Sequence, residues 1–177
     1  MESEAHFASM KTINNFPKSS QANNGIHSLD DMLPRHPFLK GMKPEHLEIM
    51  AACAMQTRFE ERQSIFREGD SANRFYLIQE GRVIMETDAE EGSVIPIQII
   101  GPGDVLGWSW LFPPYYWQFD ARALEPTKAL FFYGSRLREY CEQDHDLGYE
   151  LTKRMAAVIV KRLQATRRQM IRFSALS

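Results

Sequence analysis

IFREGDSANRFYLIQEG, residues 65–81, is the stretch that decides the fold. It reads as a short strand, a Gly-Asp turn, a polar step, an apolar strand and a Glu-Gly corner. Gly69 and Gly81 suit backbone positions that need a positive φ or a tight turn. Phe75-Tyr76-Leu77-Ile78 is an aromatic and branched run of the kind that fits a buried strand.

On either side, residues 55–133 keep to short apolar runs broken by Gly and Pro. Residues 82–85, 94–100 and 129–133 read as strands, separated by turn clusters at 88–93 and 101–104. Many short strands at near-regular spacing predict an all-β sandwich, jelly roll or barrel. Pro96 cannot donate to a ladder, so its strand is expected at an edge or with a bulge.

Helical signals bracket this region. Residues 1–28, rich in Asn, Ser, Lys and Gln, read as a flexible tail, and residues 29–37 as turn and short helix. Pro44 opens a helix at its first turn, with Leu47, Met50 and Ala51 on one face. Ser135 is placed to cap a helix over residues 136–142. A long helix is predicted over residues 146–171, roughly 39 Å at 1.5 Å per residue. Leu147, Leu151, Met155, Val158 and Arg162 or Leu163 form its stripe, and a long helix with a narrow apolar stripe is expected to pair with another helix. The three-part division is therefore a tail (1–28), a β-roll with N-terminal helices (29–145) and a terminal helix (146–177).

Composition excludes several classes. The chain has 177 residues, 44% apolar and 25% charged, ordinary for a soluble domain with its own core. Its apolar runs fall far short of the roughly 18 residues that a membrane helix needs. The acidic start MESEAHFASMK lacks a secretory h-region, which predicts a cytoplasmic protein. Cys53 and Cys141 lie far apart with no metal-ligand spacing and read as free thiols. The net charge of −2 is uneven: residues 146–177 carry seven Lys/Arg against Asp146 and Glu150, a net +5, leaving −7 for the rest. An acidic body does not suit nucleic-acid binding.

Together, residues 65–81, the turn Gly101-Pro-Gly-Asp-Val-Leu-Gly107 and the strand Arg122-Ala123-Leu124-Glu125 resemble the cyclic-nucleotide-binding domain of the catabolite-activator and Fnr-like regulator superfamily. His36-Pro37-Phe38-Leu39 and the Pro44 helix are similar to its N-terminal helices, and the last helix to its dimer helix. The resemblance covers about residues 36–172, with Phe66 bulkier than the usual small apolar residue. It implies a mainly β fold with flanking helices, a double-stranded β-helix (jelly-roll) barrel followed by a long dimerisation helix. In that family a Gly-Glu pair holds the ribose hydroxyl, and an Arg-Ser/Thr-Ala run after a loop holds the cyclic phosphate.

Here the spacing is kept and the chemistry is replaced. Gly107 is followed by Trp108 where the Glu belongs, then Ser109. After the loop at 112–116, Trp117 stands in the Arg position, and Gln118, Phe119 and Asp120 follow it. A charge-assisted hydrogen bond contributes about 1.5–3 kcal/mol and an Arg–phosphate fork supplies two. Their loss predicts affinity for cyclic AMP or cyclic GMP lowered on the order of a thousandfold or more.

Trp108, Trp110, Tyr115, Tyr116, Trp117 and Phe119 admit three readings: a barrel pocket filled by its own side chains, an aromatic-lined cavity for a flat or apolar ligand, or a surface patch for a protein partner. In the second, Gln118, Asp120 and Arg122 are available as polar contacts. Two cysteines are too few for an ordinary iron–sulfur cluster, and the histidines read as surface or capping groups, so neither metal nor cofactor is expected. No hydrolase, phosphate-loop or zinc motif appears, and residues 55–133 contain no histidine for a cupin-type metal site. Only residues 172–177 follow Ile171, with no recognition helix, so direct DNA binding is not expected. The sequence thus predicts a non-catalytic, homodimeric regulatory module, with a small-molecule-responsive regulator as the alternative.

Overall fold

A computed structural model describes residues 28–89 and 93–174. The expected tail, save for Ser28, lies outside the described residues. Helix α1 (Leu29–Met32) begins at Ser28, whose hydroxyl accepts from the Asp31 amide, and passes through a 3-10 turn (Leu33–Arg35). Helix α2 (Pro44–Ala52) starts with Pro44 in its first turn, where the missing N–H costs no helical bond.

Eight strands follow: β1 (Ala54–Phe59), β2 (Ser64–Phe66), β3 (Arg74–Glu80), β4 (Val83–Asp88), β5 (Val94–Ile100), β6 (Val105–Leu106), β7 (Asp120–Ala123) and β8 (Thr127–Tyr133). They form two four-stranded antiparallel sheets, ordered β1-β8-β3-β6 and β2-β7-β4-β5. This is the expected jelly-roll architecture. Pro96 meets both of its expectations. Its strand β5 is an edge, and the register of β4 against β5 shifts at Glu86–Pro96, leaving Ile97 as the extra residue.

Strand β3 explains why the opening stretch is apolar without interruption. Because side chains alternate across a strand, Phe75 and Leu77 enter one core, with the helices, while Tyr76 and Ile78 enter another between the sheets. Phe75 stacks on Phe132 at 4.7 Å and on Trp110 at 4.9 Å. Gly69 and Gly81 both adopt φ of +83°. At Gly81 a Cβ would stand 2.5 Å from the Pro126 carbonyl oxygen, so only glycine fits that corner.

Helix α3 (Gly134–Gln143) begins earlier than expected, and Ser135 is not its cap. Strand β8 runs straight into the helix, and the first amide, of Gly134, is taken by the Asn73 carbonyl at 2.8 Å. Backbone from β3's approach thus does what a side-chain cap would do. Helix α4 (His145–Ser174) is capped by Asp144, whose carboxylate accepts from the Leu147 amide at 3.1 Å.

The stripe on α4 requires a correction. Leu147, Leu151 and Met155 are fully buried inside their own chain, packed with the helical core around Leu33, Phe38 and Phe75. Val158 is half-buried beside them and Arg162 folds back onto the roll. Leu147, Leu151 and Met155 are therefore not available to a second helix. A different face is exposed: Tyr149, Ala156, Leu163 and Met170 recur every seven residues, and Leu163 is 68% exposed.

Candidate functional site

The loop after β6 and the turn between β2 and β3 are stitched together by backbone. Gly69 N–H donates to the Trp117 carbonyl, Trp117 N–H to the Asp70 carbonyl, and Ala72 N–H to the Tyr115 carbonyl, at 2.7–2.9 Å. The two halves of the sequence signature therefore meet in one place, and that contact sets where Trp117 points.

Trp117 is 3% exposed and lies in the core between the sheets. Its indole stacks on Phe66 with centroids 3.9 Å apart and planes 10° from parallel, and Phe119 tilts against the same ring at 5.8 Å. Gly107 has φ +85°, and a Cβ there would meet the Trp117 ring at 2.6 Å. The indole thus lies directly against Gly107. The bulk of Phe66, already visible in the sequence, belongs to this packing.

The other aromatics go elsewhere. Trp110 is fully buried in the helical core, and Trp108 lies half-buried beside Phe112 at 6.4 Å on the edge of that core. Ser109 is buried in the same turn, and its hydroxyl has no partner. Tyr115 and Tyr116 are exposed, with the Arg138 guanidinium over the Tyr115 ring at 4.3 Å. Only Trp117 and Phe119 of the cassette aromatics enter the space between the sheets.

None of the three polar groups available to an aromatic cavity faces one. Gln118 is exposed and donates to the Tyr116 carbonyl. Asp120 accepts from the Glu68 amide at 2.6 Å. Arg122 forms a two-pronged bond to Glu86, both contacts at 2.9 Å. Arg122 lies between buried Ala121 and Ala123 on β7, so alternation sends it to the opposite face. The sequence held no sign of Glu86 as its partner, because that pairing depends on the register of β4 with β7.

The other candidate chemistry is quiet. Burial pushes both thiols up, to about 11 for Cys53 and for Cys141, where nearby Asp144 and Glu142 add to the effect. Neutral thiols are poor nucleophiles. His36 and His46 are buried rather than superficial; His36 Nδ1 accepts from the Phe38 amide, and burial holds its pKa below the usual value. Among the described residues no group of three His, Cys, Asp or Glu is arranged to hold a metal. No described helix is long and apolar enough to cross a membrane.

The cyclic nucleotide-binding domain profile matches residues 56–144, half of the chain. The chain belongs to the cyclic nucleotide-binding domain family. It is 23% identical over 138 residues to the CRP-like cAMP-activated global transcriptional regulator of Mycobacterium tuberculosis, covering 78% of this chain and 60% of that protein. With the anaerobic regulatory protein of Bacillus subtilis it shares 27% over 116 residues, 64% of this chain and 48% of that one. A solved protein of Geobacter metallireducens GS-15, described as cyclic nucleotide-binding, superposes with a TM-score of 0.69 at 28% identity, covering 76% of this chain and 97% of its own. The chain thus spans about half to three fifths of the curated relatives' length. Those curated relatives are named as regulators.

Proposed function

We propose that this chain is a non-catalytic regulatory module, acting as a homodimer in the cytoplasm, whose nucleotide cassette is closed by its own side chains. The observation that carries this reading is the Trp117 indole stacked on Phe66 and lying against Gly107. A cyclic phosphate would have to displace a buried indole, and would then find no guanidinium in its place. The residues proposed as the remnant of the site are Gly107, Trp108, Ser109, Trp117, Gln118, Phe119 and Asp120, of which Trp117 and Phe119 do the filling. Calorimetry with cyclic AMP and cyclic GMP is expected to give no saturable heat; micromolar binding of either would overturn the reading.

The dimer is proposed through the exposed face of α4. Tyr149, Ala156, Leu163 and Met170, a seven-residue repeat on an exposed face, have the period of a two-helix seam, with Val160 alongside. Leu147, Leu151 and Met155 instead tie the helix to the body, so one rigid element joins the roll to its proposed partner copy. Such an element suits a protein that passes the state of its roll to a partner.

A further inference from the structure

Helix α4 and the turn at residues 101–104 border a groove of about 280 Å³ whose lining includes Val105 of β6. Its volume lies near the lower end of the ~300–1,000 Å³ typical of small-molecule sites. Phe38, Ile100, Val105 and Val158 supply apolar wall, while Arg154, Lys161 and Arg162 bring cations to it against Asp104.

Those cations are not equally engaged. Arg154 is held by Glu150 and the Phe38 carbonyl, and Lys161 by Asp104 at 3.0 Å. Arg162 donates one nitrogen, Nη2, to the Val105 carbonyl, whereas its Nη1 is buried and bonds to nothing. Burial pushes the Arg162 guanidinium down to about 10, with Asp104 the nearby charge opposing that shift. A buried guanidinium edge without an acceptor is costly, and buried polar groups are as a rule satisfied. A missing acceptor beside a mostly apolar groove describes a ligand with one anionic group and a compact apolar body.

We propose that this groove binds a small carboxylate-bearing amphiphile, its carboxylate taken by Arg162 and its apolar part lying against Phe38, Ile100 and Val158. The site uses none of the cassette residues, so it stands whether or not the cassette takes a nucleotide. Binding there would bear on α4, the element that also carries the proposed dimer seam.

The test is titration of the uniformly 15N-labelled full chain with octanoate, with octanamide as the neutral counterpart of the same shape, and with inorganic phosphate. Saturable shifts are expected for the Val105, Ala157, Val158 and Arg162 amides, with octanamide and phosphate each at least tenfold weaker than octanoate. Arg162→Gln is expected to weaken octanoate at least tenfold, and Val158→Trp, which fills the groove, to abolish the shifts while the spectrum stays dispersed. Equal shifts with acid and amide, equal binding of phosphate alone, shifts confined to other residues, or no shifts at millimolar octanoate would each overturn the proposal. The comparison of acid with amide needs no variant, so it decides even if a substitution unfolds the chain.

Discussion

Two places in this molecule lie close to the same short strand, β6, and they are opposites. On one side the space between the sheets is occupied: Trp117, Phe66 and Phe119 pack ring against ring, and Gly107 has no room for a Cβ. Under α4 a groove stands open, and Arg162 in its lining keeps one buried nitrogen without a partner. Fold similarity alone points to the first place. Packing and hydrogen-bond satisfaction draw attention to the second, because an unsatisfied buried polar group is costly.

The largest expected effect tests the filling. Trp117→Ala removes a buried, stacked indole and is expected to cost about 3–5 kcal/mol in urea denaturation. Trp108→Ala, at a half-buried position outside the sheet core, should cost clearly less. Equal losses would mean that the two indoles do the same job and that the contrast drawn here is wrong.

Next comes Gly107→Ala. The new Cβ would meet the Trp117 ring at 2.6 Å, in a backbone with φ +85° that side chains rarely adopt. Strain and overpacking together predict a loss of about 1–3 kcal/mol. In the double variant with Trp117→Ala the steric part should vanish while the backbone part remains, a coupling that a double-mutant cycle reads directly.

The helix is tested by Leu163→Glu. Light scattering is expected to give twice the 20.5 kDa chain mass for the wild type and the single mass for the variant. A wild type that is monomeric at high micromolar concentration contradicts the proposed seam. Leu151→Glu, by contrast, should impair folding itself, since Leu151 is fully buried within its own chain.

A smaller effect is expected from pH. His36 is held below its ordinary pKa of 6.5 chiefly by burial, so the unfolded chain takes up a proton before the folded chain does. Its contribution to stability is therefore complete above pH 6.5 and falls as pH drops through 6.5 toward the lower folded value. Denaturation midpoints across that window should decline with acid, and His36→Gln should flatten the decline; an unchanged slope would remove His36 as its source.

Much of this was legible beforehand, and for identifiable reasons. The unbroken Phe75-Tyr76-Leu77-Ile78 run reads as a buried strand, and in the structure both faces of β3 meet a core. The bulk of Phe66 and the replacement of an arginine by Trp117 were both visible, and they turn out to be one contact. What stayed hidden were partners rather than elements. Periodicity says that Leu147, Leu151 and Met155 are covered, but not that their own chain covers them. Likewise Arg122 could be seen as available, but only strand register reveals Glu86 opposite. The cap at Ser135 failed because a neighbouring carbonyl, that of Asn73, had already taken the first amide of the helix.

The closed cassette is tested most directly by thermal melting of the full chain with and without cyclic AMP. A ligand present at about a hundred times its Kd stabilises the fold by about 2.7 kcal/mol, which for a chain of this size raises the melting temperature by several degrees. No shift is expected at millimolar cyclic AMP. A rise of several degrees that Trp117→Arg enlarges would contradict it, because the wild-type site would then already be open to the nucleotide.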